Sequence, residues 1–106
     1  MMGDIMVLNE SNFDEVTAAG VVVVDFYADW CGPCKMMAPN FAEAKAEYEG
    51  RAVFAKVNVD ESKEIAMKFS IRGIPTVIFF KDGKAAERLT GAAEKAKLCE
   101  MVDALL

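Results

Sequence analysis

The chain has 106 residues, which is enough for one domain, expected over residues 1–106, and too few for two. Apolar residues make up 54% of the chain and charged residues 27%, a balance typical of a compact globular protein and not of a disordered one. With a formal net charge of −5, the chain gains nothing from counterion release on nucleic acid and is repelled by anionic membrane surfaces, so we expect neither partner.

Strand-like and helix-like segments alternate through the first half of the chain. Residues 5–8 form a short apolar run, and capping residues at 9–12 precede apolar positions at helical spacing up to Gly20. Residues 21–27 are a near-continuous run of β-branched and aromatic side chains, which is typical of a strand buried on both faces. Apolar side chains at 37, 41, 44 and 48 then predict an amphipathic helix that ends near Gly50 and is kinked at Pro39.

The second half predicts a strand over 52–59, a short helix over 61–69 and a closing helix marked by apolar positions 98, 101, 102 and 105. Between the helices, Asp82-Gly83 separates strand-like runs at 76–80 and 85–90, which is the strongest short-range signal for a β-hairpin. The order β-α-β-α-β-α-β-β-α predicts parallel pairing through helical crossovers, with an antiparallel hairpin at the edge. We therefore expect an α/β fold with a mixed central sheet and helices on both faces.

The cysteine count limits the chemistry that is possible. The chain has three cysteines and no histidine, so mixed Cys–His zinc sites and Cys–His nucleophilic catalysis are excluded, and an all-cysteine zinc site lacks one ligand. The first residues also lack a secretory signal, and no later stretch approaches the roughly 20 apolar residues of a membrane span. The expected location is the cytoplasm, where a disulfide is more often catalytic than structural.

Two of the cysteines lie in Trp30-Cys31-Gly32-Pro33-Cys34, where a strand gives way to a helix. Gly32 allows the chain to turn, and Pro33 suits the first helical turn. A sulfur at a helix N-terminus faces unpaired N–H groups and the positive end of the helix dipole, which favours the nucleophilic thiolate. We expect Cys31 to be the exposed attacker and the more buried Cys34 to resolve the mixed disulfide. The alternatives are half of a zinc site, which no second ligand pair supports, or a structural disulfide.

A family resemblance starts around these cysteines, in Asp25-Phe26-Tyr27-Ala28-Asp29-Trp30-Cys31-Gly32-Pro33-Cys34-Lys35-Met36 and in Ala38-Pro39. It continues in Ala55-Lys56-Val57-Asn58-Val59-Asp60, Gly73-Ile74-Pro75-Thr76, Phe80-Lys81-Asp82-Gly83 and Gly91-Ala92. In these segments, which cover essentially the whole chain, the sequence resembles the thioredoxin family. The resemblance implies the thioredoxin fold, in which a central mixed five-stranded sheet is flanked by four helices in three layers.

The resemblance also implies an activity, that of a protein-disulfide reductase cycling between the dithiol and disulfide forms of Cys31 and Cys34. No bound cofactor is expected, because the chain has no nucleotide-binding G-x-G-x-x-G sequence. Electrons would come from NADPH, or another donor, through a separate thioredoxin reductase. We expect a monomer whose partners are that reductase and disulfide-containing proteins.

Three residues outside the motif carry implied roles. Asp25 interrupts a buried strand, where a carboxylate is costly unless it is paired or protonated. The resemblance implies that it lies beneath Cys34, has a pKa raised by burial and takes up the proton of that thiol; the alternative is a strand-end carboxylate in solvent. Lys56 resembles the lysine that neighbours this aspartate, the alternative being a surface lysine. Pro75 is expected to be cis, although trans is the usual isomer.

The expected substrate-binding groove lies around the motif. Trp30 is either a core aromatic or, as its position beside the nucleophile favours, part of an apolar contact surface with Ile74, Pro75 and Ala92. The cis proline would present the backbone of Gly73 and Ile74 to an extended peptide. Gly32, Pro33 and Gly91 complete the expected groove, and Thr90, where many relatives have an apolar residue, leaves substrate preference open.

Other interpretations stay open at this point. Cys99 beside the apolar stripe of the last helix is either a small buried hydrophobe or a regulatory or dimer-forming thiol. The same fold also serves disulfide-forming and isomerising proteins, which usually carry His between their cysteines, and binding subunits or folding aids that need no redox turnover. Gly32-Pro33 speaks against the first of these rivals, and the intact set of Asp25, Cys31, Cys34 and Pro75 speaks against the second.

Overall fold

The computed structural model describes residues 5–106. The expectation that residues 1–6 carry no targeting signal therefore lies in part outside the described residues. Nine elements follow one another in the predicted alternation. They are β1 (Met6–Val7), α1 (Phe13–Thr17), β2 (Val21–Tyr27), α2 (Gly32–Glu47), β3 (Val53–Asn58), α3 (Lys63–Lys68), β4 (Thr76–Lys81), β5 (Lys84–Thr90) and α4 (Lys95–Asp103).

The five strands form one sheet in the order β1-β3-β2-β4-β5. Strands β1 and β2 pair parallel with β3, whereas β4 runs antiparallel to both β2 and β5. The predicted mixed five-stranded sheet with four helices is confirmed. The antiparallel region is wider than the hairpin alone suggests, because the chain enters β4 in the direction opposite to β2.

Each face of the sheet buries its own hydrophobic cluster. The cluster under α2 and α4 includes Val23 and Phe79 from the sheet, Phe41 from α2 and Leu98 from α4. The cluster under α1 and α3 includes Val22, Val24 and Ile78 from the sheet, Phe13 from α1 and Ile65 from α3. The central strand β2 contributes to both clusters, and residues 21–26 are all buried. The near-continuous apolar run of this strand is what two-sided burial requires.

Helix α2 begins directly after the loop that follows β2. Cys31 is its N-cap residue, and Pro33 lies in its first turn, where a missing backbone N–H costs nothing. Pro39 lies inside the helix, which continues as one element to Glu47. The cysteine motif is therefore held between the central strand and the N-terminus of the longest described helix.

Candidate active site

The two motif cysteines are joined as a disulfide, with their Cα atoms 5.3 Å apart. Cys31 has an extended backbone with φ −87° and ψ 114°, as an N-cap residue commonly has. The backbone N–H of Cys34 donates a hydrogen bond to the Cys31 Sγ atom at 3.2 Å. The sulfur of Cys31 thus takes the place of the oxygen of a Ser or Asp cap, at the positive end of the helix dipole.

The expectation that Cys31 is the more exposed of the two is wrong for the disulfide form. Both residues are only 4% exposed. They pack with Ala28 and with the partly buried side chain of Ile74, whose carbonyl oxygen lies 3.8 Å from the Cys31 Sγ atom. What differs is the surroundings: Cys31 faces the loop before β4, whereas Cys34 lines a cavity that Asp25 also lines.

Asp25 is a buried carboxyl group in the middle of the sheet. It lies on β2, opposite Lys56 of β3 and Val77 of β4, and is 6% exposed. Within residues 5–106, its Oδ1 atom has no hydrogen-bond partner. Burial raises the pKa of Asp25 from 3.8 to about 7, and the positive charge of Lys56 opposes that rise. The carboxyl group can therefore gain and lose a proton near neutral pH.

A cavity of about 340 Å³ connects Asp25 with its neighbours. It is lined by Asp25, Tyr27, Ala28, Asp29, Cys34, Lys35, Ala38, Pro39 and Lys56. Lys56 is half-buried and its Nζ atom lies 5.3 Å from the centre of the Tyr27 ring. Sequence reasoning did not give Tyr27 a role, although strand alternation, which places Tyr27 on the face of Asp25, could have indicated one.

The loop before β4 borders the disulfide. The Ile74–Pro75 peptide bond is cis, and Pro75 is buried. The Pro75 carbonyl oxygen accepts a hydrogen bond of 2.8 Å from the N–H of Gly91, which has a φ of +98°. A Cβ atom at Gly73 would lie 3.5 Å from the Thr90 side chain. The loop before β4 thus packs against the end of β5, and its Ile74 carbonyl oxygen borders Cys31.

Trp30 is 69% exposed, so it is not a core aromatic residue. Its indole Nε1–H donates a hydrogen bond of 2.8 Å to the Oδ2 atom of Asp60, which follows β3. Ala92 is exposed, and Gly32 and Pro33 are exposed at the start of α2. Sequence reasoning missed Asp60, because nothing in the linear pattern brings the end of β3 beside Trp30.

The remaining cysteine lies on α4. Cys99 is a free, half-buried thiol that packs against the cluster under α2 and α4. Its backbone carbonyl accepts a hydrogen bond of 3.0 Å from the hydroxyl group of Tyr48. Cys99 is not among the residues that line the cavity beside Cys34.

Comparison with known proteins agrees with this geometry. The thioredoxin family model matches residues 4–104. The chain belongs to the thioredoxin family. It is 46% identical to a thioredoxin of Staphylococcus haemolyticus over 99 residues, which are 93% of this chain and 95% of that protein. Thioredoxins of Staphylococcus saprophyticus and Staphylococcus aureus are each 43% identical over the same shares of both chains.

Membership of the thioredoxin family makes the chain a thiol–disulfide oxidoreductase, and Cys31–Cys34 is its dithiol/disulfide pair. Thioredoxins carry no prosthetic group. Across residues 5–106, no three His, Cys, Asp or Glu side chains are grouped so that they could hold a metal ion. None of the helices described in that range is both long and apolar enough to cross a membrane.

Proposed function

We propose that the chain reduces disulfide bonds in other proteins as a single domain of residues 1–106, with Cys31 as nucleophile and Cys34 as resolving thiol. The observation that carries this proposal is the position of the Cys31–Cys34 pair, with one sulfur capping α2 and the other beside a buried carboxyl group of raised pKa. In its reduced form the protein offers two electrons and two protons, which a substrate disulfide takes up as two thiols.

The first step uses the Cys31 thiolate. It attacks one sulfur of the substrate disulfide, the substrate S–S bond breaks, and the departing substrate sulfur leaves as a thiolate that takes up a proton. The N–H of Cys34, which donates to Cys31 Sγ at 3.2 Å, and the helix dipole both favour the thiolate before the attack. The product is a mixed disulfide between Cys31 and the substrate.

The second step uses Cys34 and Asp25. The Cys34 thiol gives its proton to the Asp25 carboxylate, and the resulting thiolate attacks Cys31 Sγ, which releases the second substrate thiolate and closes the Cys31–Cys34 bond. Lys56 assists as the partner of Asp25, because its positive charge favours the carboxylate form that can accept the proton. Both side chains line the cavity beside Cys34.

The substrate binds where the loop before β4 borders the disulfide. Trp30 and Ala92 offer exposed apolar surface. The backbone of Gly73 and Ile74 would pair with an extended peptide substrate. Pro75 shapes this loop, and the other residues proposed to line the groove are Gly32, Pro33 and Gly91. A peptide with apolar residues beside its cysteine suits such a surface.

The proposed partners follow from the same chemistry. A thioredoxin reductase regenerates the dithiol, with NADPH as the source of the two electrons. The protein works as a monomer in the cytoplasm, where disulfides are more often catalytic than structural. The net charge of −5 supports the absence of nucleic-acid and membrane partners.

Trapping the mixed disulfide tests the order of the two steps. Cys34→Ser leaves the nucleophile without its resolving thiol, so this variant should accumulate covalent adducts with substrate proteins through Cys31. Cys31→Ser should accumulate none, and Cys99→Ser, the matched cysteine control, should turn over a model protein disulfide at the unchanged rate with NADPH and a reductase. Absence of turnover with every candidate reductase would overturn the proposed function, and adducts formed equally by Cys31→Ser would overturn the assigned order.

A further inference from the structure

Tyr27 forms one wall of the cavity and has no part in the steps above. It is the last residue of β2 and lies two positions beyond Asp25, so both side chains leave the same face of the strand. Lys56 lies opposite Asp25 in the parallel pairing of β2 with β3. All three residues line the cavity.

The ammonium group of Lys56 has an aromatic neighbour. Its Nζ atom lies 5.3 Å from the centre of the Tyr27 ring, within the distance at which a cation is attracted to an aromatic face. In the part of the chain that the structure describes, no carboxylate lies within 4.0 Å of this ammonium group. The ring therefore supplies the contact that the carboxylates do not.

We propose that Tyr27 is a positioning residue whose ring holds the Lys56 ammonium group beside the cavity and so fixes the positive charge that Asp25 experiences. A contact of this kind favours the held position about two- to fivefold. Without the ring, the flexible lysine side chain spends more of its time extended into solvent, where its charge is screened from Asp25. This inference rests on the proposed role of Asp25 as acceptor of the Cys34 proton.

Among the charged and titratable groups around Asp25, Lys56 is the one whose positive charge opposes the effect of burial. Asp29, which follows β2, is exposed and lines the cavity. Cys34 and Lys35 line the same cavity from α2. On its other side, Asp25 pairs with the apolar Val77 of β4. Lys56 is the neighbouring charge that lowers the pKa of Asp25 against the effect of burial, so its position sets the balance between the two carboxyl forms.

The tyrosine hydroxyl does not itself introduce a charge. Burial raises the pKa of Tyr27 above its usual value, and the negative charges of Asp29 and Glu61 act in the same direction. The ring is therefore neutral across the range in which Asp25 titrates. Phe and Trp offer a comparable aromatic face, whereas Leu fills space without one.

The test is the carboxyl titration of Asp25, followed by carbon NMR of the oxidised protein. Lys56→Met should raise its midpoint on the order of one pKa unit, because the neighbouring positive charge is gone. Tyr27→Leu should raise it by a few tenths of a unit, and Tyr27→Phe and Tyr27→Trp should stay near the wild-type midpoint. The ring-current shift of the Lys56 ε-methylene protons should be present with Tyr, Phe or Trp at position 27 and lost with Leu.

Two comparisons separate positioning from a change in cavity hydration. In the Lys56→Met background there is no lysine for the ring to hold. Adding Tyr27→Leu to that background should therefore leave the Asp25 midpoint unchanged. Lys68→Met is the matched control, because the Nζ atom of Lys68, the last residue of α3, lies 5.5 Å from the centre of the Phe69 ring. This variant should leave the titration of Asp25 unchanged. Equal shifts by Tyr27→Leu with and without Lys56 would overturn the proposal.

A separate readout distinguishes failure of this inference from failure of the proposed function. The rate of mixed-disulfide resolution is measured against pH for the wild type and Tyr27→Leu. If the carboxyl midpoint and the rate profile move together, both proposals are supported. If the NMR midpoint moves and the rate profile does not, the proton role of Asp25 is wrong while the positioning by Tyr27 stands.

Discussion

Replacing Asp25 with Asn should stabilise the protein in a way that depends on pH. The pKa of Asp25 is raised from 3.8 to about 7 by burial. Below pH 3.8 the carboxyl group is protonated in both the folded and the unfolded chain, so it adds no pH-dependent term. Between pH 3.8 and about 7, Asp25 is ionised in the unfolded chain and protonated in the folded one. The free energy of unfolding therefore falls as the pH rises through this range.

The size of this penalty follows from the two pKa values. The difference between about 7 and 3.8 is about 3 pKa units. At about 1.4 kcal/mol for each unit, the folded protein loses roughly 4 kcal/mol by the time the pH exceeds 7. The Asn variant has no carboxyl group at this position and does not lose this free energy. The difference in free energy of unfolding, variant minus wild type, should therefore be larger at about pH 8 than at about pH 3 by roughly 4 kcal/mol.

The assay is urea unfolding of the oxidised proteins between about pH 3 and about pH 8, with the difference in free energy plotted against pH. All other carboxylates are common to both proteins and cancel in that difference. Val24→Ala, a buried change in the cluster on the opposite face, is the control and should cost a similar amount at every pH. A difference between the Asn variant and the wild type that stays flat over this range would refute the pKa assigned to Asp25.

Three further changes have expected outcomes. Tyr48→Phe removes the hydroxyl group whose oxygen lies within hydrogen-bond distance of both the Cys99 carbonyl oxygen, at 3.0 Å, and the Asp103 Oδ1 atom, at 2.6 Å. It should cost about 1–2 kcal/mol in urea unfolding with turnover unchanged. Gly91→Ala should cost about 1–2 kcal/mol in the same measurement, since φ is +98° there, and intact stability would contradict this. Cys99→Ala should match the wild type in turnover and, after mild oxidation, in elution volume on a sizing column. A disulfide-linked dimer formed by the wild type and not by the variant would instead show that Cys99 is a regulatory thiol.

The central part of the fold could be predicted from the sequence because its residues have only one compatible environment. The strand over residues 21–27 has the predicted bounds, since a run of β-branched and aromatic side chains is stable only where both faces are covered. The hairpin at Asp82-Gly83 is also present, with both residues at positive φ. The direction of β4 relative to β2 could not be predicted, because it depends on how the loop after α3 crosses the sheet.

Within the site, local chemistry was predictable and long-range contacts were not. The cap of α2 by Cys31 follows from Gly32 and Pro33 beside it. The equal burial of Cys31 and Cys34 depends on Ile74, which is 43 residues away from Cys31 along the chain. The hydrogen bond between Trp30 and Asp60 and the contact between Lys56 and Tyr27 likewise join different elements of the fold.

The instability caused by Asp25 and its usefulness to Cys34 have the same physical origin. For an ordinary cysteine with a pKa of about 8.5, passing a proton to a solvated aspartate of about 3.9 is uphill by roughly 6 kcal/mol. With Asp25 at about 7, the same transfer is uphill by roughly 2 kcal/mol. The saving of roughly 4 kcal/mol in the transfer is the same quantity that destabilises the folded chain above pH 7, because both measure how much the buried site disfavours the carboxylate. A variant that solvates the cavity should therefore gain stability and lose resolution rate in proportion, and the two cannot be improved together at this position.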